Sequence, residues 1–336
     1  MASLIKLSGW VDIHCHFSPP TTEEERLTKW HAVRAENFLI PKPWDWKVEE
    51  ILDYMDRQGV AMQMLSNIPS QLPALRASND YGAEIVRRHP SRFGLLAALP
   101  TDNVQEAIKE VERASQVLGA DGFAVSICYN GIYLGDASLN PLWDTLNKRE
   151  KAVVHVHPDG YQRSIMGRPT LLAELAFDTT RTVIEMLYNG VFRRHPNIIW
   201  VIAHCGGALP ALSGRLFALG TEIWAPNSNG ITEAEMRSQL TSLFVDTAAT
   251  ASASLLLPAM EMTGKRGKHI VYGSDCGVPC STEQTMDENV KRLLACEGLT
   301  EEEKEAIGHR LEDLFPAAAE RIKEGYRGEE RRREFQ

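Results

Sequence analysis

Trp10–His16 reads WVDIHCH, a short β-branched and aromatic run that ends on two histidines, and its period decides the fold. Successive side chains of a strand alternate between faces, so His14 and His16 share one face and Cys15 takes the other. Seven further runs of this kind follow: Val60–Ser66 (VAMQMLS), Phe93–Leu99, Gly122–Ile127, Ala152–His157 (AVVHVH), Ile198–His204 (IIWVIAH), Leu243–Thr247 (LFVDT) and His269–Asp275 (HIVYGSD). Helix-period segments separate them. After the third run, Asp102 or Asn103 is placed to cap a helix whose Val104, Ile108, Val111 and Leu118 form an apolar stripe, opposite a wet face of Lys109, Glu110, Glu112 and Arg113. Eight strand–helix units in series predict a (β/α)8 TIM barrel, with C-terminal helices from Leu299 onward.

A chain of 336 residues suits one such barrel, and the expected organisation is a single domain over 1–336. Within it, 18–47, rich in Pro and aromatics, is expected to be a lid-like insertion over the barrel mouth, and 299–336 a charged helical tail. A second insertion between His157 and Asp178 carries the loop PDGYQRSIMGRP. Lys and Arg number 36 against 45 Asp and Glu, a net charge of −9, which argues against a nucleic-acid partner. The six cysteines form no CxxC pair, so neither a disulfide framework nor a zinc finger is expected. No stretch approaches the ~18–20 apolar residues of a membrane span, and the first residues lack the pattern of a secretory signal. A cytoplasmic protein without a membrane partner is the expectation. No GxSxG elbow, P-loop or GxGxxG after a strand is present, which counts against serine hydrolases, NTPases and dehydrogenases.

His157 ends the fifth run, His204 the sixth and Asp275 the eighth, each just before a loop marked by Pro or Gly. With His14 and His16 they would meet at the C-terminal end of the barrel, where this fold places its chemistry. Neutral imidazoles with a carboxylate suit one divalent metal such as Zn²⁺, Mn²⁺ or Fe²⁺. The competing reading is a set of buried histidines that only hydrogen-bond one another. Asn67, after the second run, is a candidate for hydrogen-bonding substrate, or for forming a turn. His155 faces the same way as His157 one layer deeper and reads as a core histidine. Asp246 is placed to orient a metal ligand or His204, or to cap the next helix. Asp178 reads as a helix cap, and Trp30, Trp44, Trp46 and Phe177 either wall a pocket or pack the insertion.

The motifs VDIHCHF, MDRQGVAMQMLSNIP, RRHPSRFGLLAALP, VHVHP, HPNIIWVIAHCGGALPALSGR, FVDTA and VYGSDCGVP run through most of the chain. Together they resemble the amidohydrolase superfamily, in the branch of metal-dependent nonoxidative decarboxylases that includes the aminocarboxymuconate semialdehyde, γ-resorcylate and 6-methylsalicylate enzymes. The resemblance implies that His14, His16, His157 and Asp275 hold the metal, Zn²⁺ as first choice and Mn²⁺ as second. It implies that His204 stands beside the metal as an acid, base or substrate-orienting group. No metal-bridging lysine is evident in AVSICYNG after the fourth strand, which implies a mononuclear site. Arg215 matches an arginine that dimeric relatives send into the neighbouring subunit's site to meet a substrate carboxylate, and an ordinary surface arginine is the other reading. A substrate-binding arginine of the aminocarboxymuconate enzyme has no counterpart near Ile40 to Pro43, which argues for a monocarboxylate. The implied function is decarboxylation of a small ortho-hydroxybenzoate by a homodimer, 6-methylsalicylate to 3-methylphenol and CO₂ being the specific choice. The alternative is metal-dependent hydrolysis of a lactone, ester or amide on the same barrel.

Overall fold

A computed structural model describes residues 7–159, 167–249, 251–264 and 267–334, with side chains described to 327. The centre of the PDGYQRSIMGRP loop, residues 160–166, and the end of the tail lie outside the described residues.

The strands are β1 Trp10–His16, β2 Val60–Ser66, β3 Phe93–Ala98, β4 Gly122–Ser126, β5 Ala152–His157, β6 Ile198–Ile202, β7 Phe244–Asp246 and β8 Ile270–Val271. They form an 8-stranded parallel sheet in chain order. The last strand returns to the first through three backbone hydrogen bonds: Ile13 N–H to Tyr272 O at 3.0 Å, Asp275 N–H to His14 O at 3.0 Å and His16 N–H to Cys276 O at 2.7 Å. These close a (β/α)8 barrel, the fold expected from the strand–helix alternation.

Inside the barrel, Val11, Ile13, Met62, Met64, Leu96, Ala124, Val153, Val201 and Val271 form one apolar cluster with Leu311, Leu314, Phe315, Ala318 and Ala319. The C-terminal segment thus plugs one end of the barrel. Arg321 fastens the plug by donating to Asp121 Oδ1 and Oδ2 at 2.9 and 3.0 Å and to Pro90 O at 2.9 Å. A second cluster, including Trp10, Cys15, Leu65, Phe93, Val125, Val154 and Ile202, packs the outer strand faces against the surrounding helices. Burying these faces supplies the driving force for closure, at roughly 25 cal/mol per Å² of apolar surface removed from water.

Strict alternation would set His14 and His16 opposite Val11 and Ile13, which lie in the interior. The structure resolves this with a register slip in the β1–β2 pairing between Asp12 and Cys15. Beyond the slip the even-numbered side chains turn inward, while Cys15 joins the outer cluster, away from the histidines, as expected. Five strands, β3, β4, β6, β7 and β8, are shorter than their sequence runs. β6 stops at Ile202 and β8 at Val271, so His204 and Asp275 stand on the turns beyond rather than on strand ends.

In the first insertion, helix Glu23–Ala35 starts with a capping box between Thr22 and Glu25 and buries no residue. Its return is tied by Trp30 Nε1 and Arg34, which both donate to Ile40 O, at 2.9 and 2.8 Å. A two-stranded hairpin, Cys128–Tyr129 with Ile132–Tyr133, follows β4. Its Asn130 and Gly131 both have positive φ, the Asn-Gly signature of a tight hairpin turn, and the strand–helix count did not anticipate it.

Candidate metal centre

His14 and His16 come from the end of β1 and His157 from the end of β5. His204 and Asp275 are delivered by left-handed backbone, with φ of 54° and 61°. Such values are costly for residues with a Cβ and persist where surrounding structure fixes them. Gly206 and Gly207 continue the left-handed path after His204, and a Cβ at Gly207 would lie 2.3 Å from Ala176 O. Gly277 does the same for Asp275: its φ is +95°, and a Cβ there would meet His16 O at 1.9 Å. The AHCGG and SDCG sequences are therefore close-approach devices that press two turns against neighbouring backbone.

One ligand atom each from His14, His157, His204 and Asp275 lies within 4.8 Å of the others. His16 belongs to the same knot, its Nε2 being 3.1 Å from His14 Nε2 and 3.2 Å from Asp275 Oδ1. Asp275 Oδ1 is 3.4 Å from His14 Nε2, and Oδ2 is 3.8 Å from His204 Nε2 and accepts from Ser281 Oγ at 3.3 Å. The five residues expected at this end of the barrel are thus brought together.

Burial and mutual contact set the charges of the knot. Burial works against a charge on His14, yet Asp246 and Asp275 outweigh it and push the imidazole up to about 10. Burial and the neighbouring imidazoles hold His157 well below the ordinary histidine range, as a neutral ring with a free lone pair. Its Nε2 is buried and finds no hydrogen-bond partner among the described residues. Burial opposes the charge on Asp275, and its bonds to His14, His16 and His204 overcome this, keeping it well below the usual carboxylate range. An orphaned imidazole nitrogen, facing ring nitrogens and an ionised carboxylate within ligand reach fit one divalent metal. This donor set also suits Zn²⁺, Mn²⁺ or Fe²⁺ better than a hard cation that demands only oxygen.

Asp246 and His155 form the layer beneath. Asp246 Oδ2 accepts from His14 Nδ1 and His155 Nε2, both at 2.9 Å. Its Oδ1 accepts the backbone N–H groups of His204 at 2.9 Å and Ala248 at 3.0 Å. Burial lowers His155 to about 4, against the pull of Asp246, so this ring is neutral. A third carboxylate was missed in the sequence. Asp12 accepts from Ser274 N–H at 2.9 Å, Ser274 Oγ at 2.5 Å and Gln63 Nε2 at 3.2 Å, and burial raises it to about 6. It ties β1 to the turn that carries Asp275, and the signal was its place two residues before His14.

Asn67 donates to Ser78 Oγ at 2.8 Å, a bond that holds the turn after β2 to helix Leu72–Arg88. Arg215 is exposed on helix Leu209–Leu219. Asp178, expected to cap a helix, lies within helix Glu174–Tyr188 and accepts from Tyr133 OH at 3.2 Å. Trp46 is buried against Phe17, whereas Phe177 is exposed. No helix among the described residues is long and apolar enough to cross a membrane.

The sequence model of the family described as Amidohydrolase matches residues 11–310. A decarboxylase of Aspergillus niger, yanB, is 29% identical, the match covering 91% of this chain and 87% of the relative. A 6-methylsalicylic acid decarboxylase of Penicillium expansum is 25% identical over 79% of this chain and 84% of its own. Among solved structures, a 2,6-dihydroxybenzoate decarboxylase complexed with 2,6-dihydroxybenzoate superposes with a TM-score of 0.75 at 20% identity, covering 92% of this chain and 99% of that one. A dihydroxybenzoic acid decarboxylase from Polaromonas, with bound manganese and the inhibitor 2-nitroresorcinol, gives 0.72 at 20% identity over 92% and 97%. The structural likenesses establish the shared barrel.

Proposed function

The chain belongs to the amidohydrolase family, and from that premise we propose that it is a metal-dependent decarboxylase of a small ortho-hydroxybenzoate, 6-methylsalicylate to 3-methylphenol and CO₂ being the specific choice. The observation that carries the proposal is the knot of His14, His16, His157, His204 and Asp275 on a barrel whose relatives include decarboxylases of hydroxybenzoates. His14, His16, His157 and Asp275 would hold the metal, Zn²⁺ first and Mn²⁺ second, the latter supported by the manganese in the Polaromonas structure. A bound divalent cation supplies positive charge opposite the phenolate and carboxylate oxygens, fixing the ring and its reacting carbon.

The reaction needs one proton delivered to ring carbon C1, after which the C1–carboxylate bond breaks, its electron pair restores the aromatic ring and CO₂ departs. Asp275 and His204 are the groups proposed to supply it. Asp275 Oδ2 and His204 Nε2 lie 3.8 Å apart, and either residue would give the proton to C1 while the other stabilises the phenolate or shuttles protons. Asn67 and, from a neighbouring subunit, Arg215 are proposed to meet substrate. The same reading takes 1–336 as one barrel domain working as a cytoplasmic homodimer, with 18–47 as its lid.

Metal-replete protein incubated with 6-methylsalicylate, salicylate, 2,6-dihydroxybenzoate and orsellinate tests the proposal. Release of CO₂ with the matching phenol from at least one supports it. Release from none, with metal bound, favours hydrolysis, the family's other chemistry, and an ester and lactone panel then distinguishes it by a ring-opened or cleaved acid.

A further inference from the structure

Asp246, the last residue of the seventh strand, is wholly buried, and each of its oxygens receives two N–H donors. Oδ1 is occupied by backbone groups that have no other form, and Oδ2 by two ring nitrogens. With every approach filled by a donor, the carboxylate has no place for a proton and acts only as an acceptor. His14 must then carry a hydrogen on Nδ1, so that Nε2, which faces His16 and Asp275, is the nitrogen left for a metal to take. The same carboxylate grips the N–H of His204 at the first residue of its left-handed turn.

We propose that Asp246 is a positioning residue that fixes the tautomer of His14 for metal binding and the backbone of His204 for proton transfer, so that one carboxylate sets the distance between the two functions. This inference rests on the metal-centre reading and is independent of which reaction the centre performs. His155 shares Oδ2 without facing the centre, and it serves to keep that oxygen saturated.

An amide in place of the carboxylate exposes the logic. Asn has one acceptor oxygen where four donors converge, so its –NH₂ must face either the two backbone N–H groups or the two imidazoles. The backbone cannot adapt and the rings can. The amide hydrogens therefore turn toward His14, whose proton moves to Nε2, where it blocks the metal.

The test titrates Zn²⁺ alone against a chromophoric chelator and needs no substrate. Asp246→Asn is expected to weaken Zn²⁺ affinity by roughly 10–100-fold, the scale on which groups that orient metal ligands act. His155→Gln, which leaves the Asp246–His14 bond in place, is expected to stay within about threefold of the parent. Separately, ¹⁵N-histidine-labelled parent protein loaded with Zn²⁺ should show the His14 proton on Nδ1, a readout that a merely structural residue would not control. Folded Asp246→Asn protein with parental Zn²⁺ affinity, or an equal loss in His155→Gln, overturns the inference. So does a His14 proton found on Nε2 in the loaded parent, which decides the matter even where Asp246→Asn does not fold. A failed decarboxylation assay would leave each of these outcomes untouched.

Discussion

Replacing Asp275 with Asn removes one charge and leaves the shape. In the structure Oδ1 faces the Nε2 atoms of His14 and His16 at 3.4 and 3.2 Å, and Oδ2 faces His204 Nε2 at 3.8 Å and the Ser281 hydroxyl at 3.3 Å. An amide therefore has two orientations. With its oxygen toward His14 and His16 it retains a neutral ligand but turns –NH₂ to His204, ending any proton relay. With –NH₂ toward His14 and His16 it sets a donor where a metal ligand is required, and affinity falls as well. Both orientations remove the group that could take up and give back a proton. Loss of a positioned acid or base costs about 10²–10⁴ in rate, which at 1.36 kcal/mol per tenfold is about 2.7–5.4 kcal/mol of barrier. The assay is CO₂ release at saturating substrate and metal, with bound metal counted in the same sample so that the two orientations are told apart. Metal-replete Asp275→Asn protein turning over within tenfold of the parent would refute the role given to this residue.

Three further expectations concern the scaffold and the substrate. Glu110 is buried and accepts from Arg113 Nε at 3.0 Å, Asn79 Nδ2 at 2.7 Å and Arg76 Nε at 3.3 Å; burial raises its pKa, but these partners outweigh it and leave the carboxyl below the ordinary range. Its stabilisation is accordingly present in full above the unfolded value of about 4.3 and is lost as pH falls below it. Glu110→Ala should cost about 1–3 kcal/mol in denaturant unfolding at neutral pH, and Glu110→Gln should flatten the acid limb; an unchanged midpoint would contradict this. Gly277→Ala, whose Cβ would meet His16 O at 1.9 Å, should push the Asp275 turn off β1 and lower metal affinity and kcat together, an outcome that parental values of both would exclude. Arg215→Ala should raise KM for the proposed carboxylate substrate or, in sedimentation, weaken the homodimer proposed above, and no change in either makes it a surface arginine.

The barrel was legible because each strand is a compact β-branched run between helix-period segments, and β1, β2 and β5 kept their predicted bounds. The convergence of His14, His16 and His157 was legible for the same reason. What the period of two could not show was the register slip in β1, since a slip changes facing without changing composition. The strand-end placement of His204 and Asp275 failed on backbone conformation: both sit at positive φ, and only the glycines that follow hinted at it. Asp246 was readable as an orienting group, but its four-donor saturation depends on residues up to 232 positions apart. No local pattern encodes such a bond.

The central claim is that this centre removes CO₂ from a hydroxybenzoate with one divalent metal in place. Protein stripped by chelator, then reloaded with one equivalent of Zn²⁺ or Mn²⁺ and assayed for CO₂ release from 6-methylsalicylate, puts it to the test. The account predicts no release from stripped protein and recovery that saturates near one metal per chain. Undiminished release without metal, or none from fully loaded protein with any ortho-hydroxybenzoate, would contradict it.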